Sequence, residues 1–388
     1  MEWVEKKSSE LYVSSSGLSK SSDQFGYGYP FLSYKDVFNN YYAPEKLSTL
    51  VNSTEKDRMK CSVKQGDVFL TRTSETTDEL GMSCVALHDY VNATFNGFTK
   101  RLRPLTDEIE PKYAAYYFRS PYFRSQCISL ASLITRASLN DGMIRRLKIR
   151  YPLNRKVQVK IGGILYTYDS LIENNTKRIR LLEKMAENLY KEWFVRFRFP
   201  GHENVEMENG LPKGWKYVNF SNLSPILTGK KDANYASQNG KYKFFTCSKN
   251  DLVADNYSFD CFAIILAGNG DLNVKLYDGQ FEAYQRTYVL SPYDVEHIYV
   301  SYYTIQSELD RLLVGAAGAV IKFLTKGMIE KIKVLLPTND VLVRFNSIQE
   351  HNYRLRQNLK RQNSLLARQR DLLLPRLMSG KLEVKVKA

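Results

Sequence analysis

Cysteine is scarce. Cys61, Cys84, Cys127, Cys247 and Cys261 are the five in 388 residues, far apart and without a C-x-x-C pair. Neither a disulfide framework nor a zinc knuckle is built from such a set, and free thiols in a reducing cytoplasm are the expectation. The four histidines, His88, His202, His297 and His351, share no metal-ligand spacing. None of the twelve prolines adjoins another, which excludes the Asn/Asp-Pro-Pro-Tyr/Phe element of a DNA adenine methyltransferase. A G-x-x-x-x-G-K-[ST] phosphate loop is missing, and with it ATP-driven translocation. Gly26-Tyr27-Gly28 and Gly268-Asn269-Gly270 are isolated G-x-G pairs that read as turns. No stretch approaches eighteen uninterrupted apolar residues, and the opening Met1–Lys6 has no apolar signal core. No ordered carboxylate–lysine motif stands out either, so the chain is expected to carry no catalytic centre, metal or cofactor of its own.

Positive charge is abundant. Lys and Arg number 56 against 41 Asp and Glu, a formal charge of +15, with a pI of about 9.3. A surplus of that size favours a polyanionic partner, nucleic acid first, although a merely soluble basic protein would show it too. A hydrophobic content of 43% fits a folded chain, long enough for two domains plus a connecting element.

The chain repeats itself. Residues 142–152 read GMIRRLKIRYP and residues 327–337 read GMIEKIKVLLP. Gly142/Gly327, Met143/Met328, Ile144/Ile329, Lys148/Lys333 and Pro152/Pro337 coincide at one offset, which Tyr117-Phe118 and Tyr302-Tyr303 share. Nearer the start, Trp3, Leu11 and Gly17 match Trp215, Leu223 and Gly229 at a larger offset, because the first module is the longer. A tandem duplication is the reading. Strands are expected at Val68-Phe69-Leu70, Cys261 to Leu266 and Tyr288-Val289-Leu290. A helix should begin at Pro111, and Pro200-Gly201 followed by Pro212-Lys213-Gly214 should mark the module boundary. The domain boundaries expected are 1–153 for the first module, 154–199 for a central helix, 200–338 for the second module and 339–388 for a C-terminal helix.

Both helices carry heptad spacing. Ile161, Leu165, Tyr168, Ile172, Asn175, Ile179, Leu182, Ala186, Leu189 and Trp193 alternate four and three residues apart. Val341, Phe345, Ile348, Asn352, Leu355, Leu359, Gln362, Leu366, Gln369 and Leu373 do the same. Two such helices are expected to pair as an antiparallel coiled coil between two α/β (α+β) modules, giving the tandem duplication approximate twofold symmetry. Polar residues within a seam lower stability but fix register. From residue 341 onward eleven Lys or Arg face three acidic residues, a solvated face or a contact for phosphates or an acidic partner.

Four strings in this order carry a resemblance. They are Gly66-Asp67-Val68-Phe69-Leu70-Thr71-Arg72-Thr73, then Leu181-Leu182-Glu183-Lys184-Met185-Ala186-Glu187 running on to Trp193-Phe194, then Leu211-Pro212-Lys213-Gly214-Trp215, and last residues 368–380, RQRDLLLPRLMSG. Over nearly the whole chain the sequence resembles the specificity subunit of type I restriction-modification systems. The second module departs from it, offering residues 262–269, FAIILAGN, in place of a Gly-Asp string. The resemblance implies that each target-recognition module reads one half of a split double-stranded DNA target. It implies that the helices set the spacer and dock two adenine-N6 methyltransferase subunits, with motor-nuclease subunits joining that core. S-adenosylmethionine, ATP and magnesium would belong to those partners, and the complex would be cytoplasmic and DNA-associated in a bacterium or archaeon.

Residue chemistry agrees, since Arg and Lys read guanine, Asn and Gln read adenine, and Ser, Thr and Lys often meet phosphates. Candidates are Thr71, Arg72, Thr73, Asn96, Lys100, Arg101 and Arg103 in the first module. In the second they are Lys230, Lys231, Asn269, Asn273, Lys275 and Arg286. Each is also an ordinary surface residue type. A coiled-coil scaffold without a DNA role and a stand-alone DNA-binding regulator are the rival readings; neither accounts for the ordered strings.

Overall fold

In the computed structural model the described residues are 2–130, 132–133, 137–315 and 323–386. The chain divides into two compact units, Met1–Thr176 with Arg361–Ala388, and Lys177–Lys360. Both long helices, the central Arg155–Tyr190 and the C-terminal Asn339–Met378, contribute to each unit.

The first unit is built on a four-stranded antiparallel sheet in the order Tyr12–Ser16, Thr99–Pro104, Val68–Thr71, Ser83–Val85. Alternate residues of a strand face opposite sides, and here both sides are covered. Val68 and Leu70 enter a core with Tyr113, Tyr117, Ile144 and Tyr151, while Phe69 enters a second core with Phe31, Val51 and Phe95. Hence the Gly-Asp string reads as a continuous apolar run and not as an alternation. The helix expected at Pro111 spans Pro111–Tyr117, with the Glu110 side chain accepting from Tyr113 N. Trp3–Lys7 pairs antiparallel with Lys148–Pro152, so the module's first strand closes against its last.

The second unit repeats that frame. Its six-stranded sheet contains the order Ile226–Thr228, Thr287–Leu290, Phe259–Ala267, Val274–Ala283, equivalent strand by strand to the first sheet. Lys216–Asn219 pairs with Lys333–Leu336, and the register repeats that of the first unit: Asn219 faces Lys333 as Lys7 faces Lys148. Asn140 caps the short helix Asp141–Arg146 by accepting from Met143 N, and Thr325 caps Lys326–Glu330 by accepting from Met328 N. Gly17 and Gly229 are required for one reason in both modules. A Cβ would lie 2.3 Å from Asn96 O in the first and 1.9 Å from Ala283 O in the second.

Within each unit the two helices run antiparallel. In the first, Asp169 pairs with Arg370 and Asn175 Nδ2 donates to Asn363 Oδ1 at 3.0 Å. In the second, Asn352 Nδ2 donates to Leu182 O at 3.0 Å and Gln349 Nε2 to Ala186 O at 3.3 Å. All ten predicted positions of the central helix are buried or half-buried. The C-terminal helix keeps Phe345, Asn352, Leu359, Leu366 and Leu373 in the seam, with Leu355 half-buried, but Ile348, Gln362 and Gln369 are exposed. The second column lies one residue further on, at Gln349, Arg356, Asn363 and Arg370. The sequence reading followed apolar residues, whereas this column is polar and each member is bonded: Arg356 lies 3.6 Å from Glu183 and Gln349 also accepts from Tyr303 Oη. Buried polar partners at heptad intervals tie register to one alignment. The central helix ends in a π turn, Lys191–Val195, before Gly201, whose φ of +88° suits glycine.

Candidate nucleic-acid interface

The basic residues expected to face a ligand divide sharply. Lys100, Arg101 and Arg103 sit on Thr99–Pro104, a strand covered on both faces for most of its length, and each serves the protein. Lys100 Nζ donates to Asp141 at 2.9 Å and to Ser16 Oγ at 2.8 Å. Arg101 is buried with its guanidinium on Ser62 O at 2.6 Å, and burial pulls its pKa down. Arg103 forks onto Asp67, Nε to Oδ1 at 2.8 Å and Nη2 to Oδ2 at 2.6 Å, and this hydrogen bonding raises the arginine's pKa. Thr71 is wholly buried, donating to Glu79 O and accepting from Met82 N. Asn96 caps a local turn by accepting from Phe98 N at 2.7 Å. All five side chains are engaged by partners within the module.

The duplication explains why. The strand register makes Lys100, Arg101 and Arg103 equivalent to Tyr288, Val289 and Ser291, none of them basic. Tyr288 Oη donates to Leu324 O at 3.0 Å, tying its strand to the segment just before the helix Lys326–Glu330, as Lys100 ties its strand to Asp141 at the start of Asp141–Arg146. Asp67 corresponds to Ala263. The second module has neither the Gly-Asp string nor the arginine that neutralises it, so neither charge is stranded.

In the second module Asn273 and Lys275 are likewise engaged. Asn273 Nδ2 donates to Cys247 O at 3.0 Å, and Lys275 Nζ to Asp251 at 2.8 Å and Ser248 O at 2.9 Å. Lys230, Lys231, Asn269 and Arg286 remain at one end of the sheet. Gly229 N donates to Thr287 O, Gln285 N to Lys231 O, and Gly268 N to Arg286 O, which binds the three loops together. Lys230 and Arg286 are exposed, and Lys231 Nζ stands over the Tyr235 ring at 4.4 Å. Sequence reasoning missed Lys249, exposed on the loop whose Cys247 Sγ donates to Arg286 O at 3.4 Å; a lone lysine in a polar loop gives no spacing signal. The first module's equivalent end holds Arg72 and Thr73, both half-buried, beside Phe98, which is 57% exposed. Arg72 Nε is buried without a hydrogen-bond partner. Arginine, lysine, asparagine and an exposed aromatic at sheet-end loops are a set able to meet phosphates and base edges. Among the described residues no group of His, Cys, Asp or Glu could hold a metal ion, and no helix is long and apolar enough to cross a membrane.

Residues 2–184 match the family model described as the type I restriction modification DNA specificity domain. The specificity subunit of the Escherichia coli type I restriction enzyme EcoDI is 38% identical over 128 residues, 33% of this chain and 29% of that subunit's length. The MjaIX specificity subunit of Methanocaldococcus jannaschii is 24% identical over 415 aligned residues, covering 99% of this chain and 94% of its own. A crystal structure of a type I restriction-modification S subunit from M. genitalium shares the fold, with a TM-score of 0.59 at 15% identity over 97% of this chain and 96% of that one.

Proposed function

We propose that the chain is a specificity subunit of a type I restriction-modification system, and that each module reads one half of a split double-stranded DNA target through its sheet-end loops. The reading groups are Arg72 and Thr73 in the first module, and Lys230, Lys231, Asn269 and Arg286 in the second. The observation that carries this reading is a duplicated backbone frame, register for register, whose equivalent sheet-end loops hold cationic and amide side chains in both modules.

Catalysis is left to partners: two adenine-N6 methyltransferase subunits bringing S-adenosylmethionine, and motor-nuclease subunits bringing ATP and magnesium. The helices offer the docking face. Leu181 and Met185 on the central helix are 62% and 63% exposed, and Leu365 and Leu372 on the C-terminal helix are exposed as well. Exposed leucines on otherwise polar helix faces suit a protein partner. Native mass measurement of the reconstituted complex is expected to give two methyltransferases per chain. Leu181→Glu and Leu365→Glu should each remove one of them. A stable one-to-one wild-type complex that methylates both strands would count against this arrangement.

Methylome sequencing of a host expressing the chain with its methyltransferase is the direct test, and a two-part motif with a fixed nonspecific spacer is expected. One heptad inserted into each helix keeps the seams in phase and adds about 10 Å at 1.5 Å per residue. The same two half-sites should then be read across a spacer longer by about three base pairs, at 3.4 Å each, or activity should be lost. Altered half-site bases with an unchanged spacer would make the helices part of the reading surface.

A further inference from the structure

In each module one backbone hydrogen bond joins the residue after the middle strand to a tight turn that precedes its neighbour. In the first module it runs from Arg72 N to Phe98 O at 3.1 Å, in the second from Gly268 N to Arg286 O at 2.9 Å. The surroundings repeat. Thr99 N bonds Asn96 O as Thr287 N bonds Tyr284 O, and Leu139 N and Leu324 N land on the carbonyls of Arg72 and Gly268. Equivalence here is set by backbone pairing and owes nothing to side-chain likeness.

The two modules place their arginine on opposite partners of this bond. The first carries it on the strand side, at Arg72, with exposed Phe98 on the turn. The second carries it on the turn, at Arg286, and has glycine on the strand side. That glycine is obligatory, because a Cβ at Gly268 would lie 2.4 Å from Arg286 O and 3.0 Å from the Tyr288 ring. The position that Arg72 fills is therefore closed to any side chain in the second module, and the guanidinium comes from across the bond.

We propose that Arg72 and Arg286 are counterparts, each the guanine-reading group of its module, extended from opposite ends of the same backbone hydrogen bond. The proposal rests on the reading of the modules as DNA readers and names the base and the side chain in each. A guanidinium presents two parallel N–H groups that match guanine O6 and N7 in the major groove. Arg286 is exposed and in no ion pair among the described residues, and Arg72 Nε lacks a partner. Lys100 is spent on Asp141, Arg103 on Asp67 and Lys275 on Asp251, and Lys230, Lys231 and Lys249 beside Arg286 cannot offer the planar fork that matches guanine.

Methylome mapping of Arg72→Ala and Arg286→Ala chains, each assembled with the cognate methyltransferase, tests the proposal. Each variant should lose preference for guanine at one position by at least about tenfold, in different half-sites, with the other half-site unchanged. Arg286→Lys keeps charge and bulk but cannot offer the planar fork, so it should relax the same position without lowering the melting temperature. The proposal is overturned if Arg286→Ala leaves both half-sites at wild-type selectivity. It is equally overturned if the variant weakens all sequences uniformly with a shallower salt dependence, the mark of a phosphate contact. A wild-type chain giving no two-part motif would instead remove the DNA-reading premise itself.

Discussion

Leu377→Ala, near the end of the C-terminal helix, is expected to destabilise the first module, whose sheet begins more than three hundred residues earlier, by about 2–5 kcal/mol. Leu374, Leu377 and Met378 are buried in one cluster with Tyr113, Tyr117, Ile161 and Leu165. Just beyond them Gly380 turns with a φ of +77° so close to the first strand that a Cβ would lie 2.7 Å from Trp3 Nε1. Removing three carbons from Leu377 leaves a cavity in a core that neighbouring side chains cannot collapse to fill. Hydrogen exchange at Lys148–Pro152 and Val68–Thr71 should report the loss, since these strands line the same core. Val343→Ala, exposed on the same helix, should change stability by no more than about 0.5 kcal/mol. Unchanged protection of the first module's sheet in Leu377→Ala would mean that its core does not depend on the C-terminal helix.

How far such features could be read from the sequence depends on what spacing records. The duplication was legible because equivalent backbone pairings demand equivalent residues. Glycine recurs at Gly17 and Gly229 where no Cβ fits, and a helix-capping side chain recurs at Asn140 and Thr325. The heptads of the central helix were legible for the same reason. The C-terminal helix misled by one residue in alternate seam positions, because Ile348 is apolar but exposed while the inward places belong to Gln349, Arg356, Asn363 and Arg370. Hydrophobicity cannot reveal a polar column whose partners come from another element. The reading surface was least legible. Lys100 and Arg101 are neighbours on a strand, so one of them should face outward on an ordinary sheet. Here both faces are covered, and both cations turn to protein oxygens. What marks these cations as structural is their protein partners, Asp141 and Ser16 for Lys100 and Ser62 O for Arg101, and a sequence does not show partners that lie far along the chain.

That distinction has a sharp experimental form in Arg103 and Arg72. Asp67 is fully buried and accepts from Arg103 Nε and Nη2 and from Lys64 N at 2.7 Å. Arg103→Met would strand a buried carboxylate without its counterion, a change that costs about 3–5 kcal/mol. Urea unfolding followed by hydrogen exchange at Thr99–Pro104 should show it. The second module suggests the rescue, because it holds alanine and serine at these two places. Asp67→Ala combined with Arg103→Ser removes both charges and should recover most of the loss, a strong coupling between neighbours. Arg72→Ala should behave in the opposite way. Among the described residues its guanidinium has no protein partner whose loss would strand a charge, so stability should shift by no more than about 0.5 kcal/mol. Selectivity at one position of the first half-site should fall by about 1–3 kcal/mol. If Arg103→Met instead unfolded normally and relaxed the target motif, Arg103 would be a reader and Asp67 its orienting partner. If the double variant were no more stable than Arg103→Met, the buried ion pair would not be what holds these strands together.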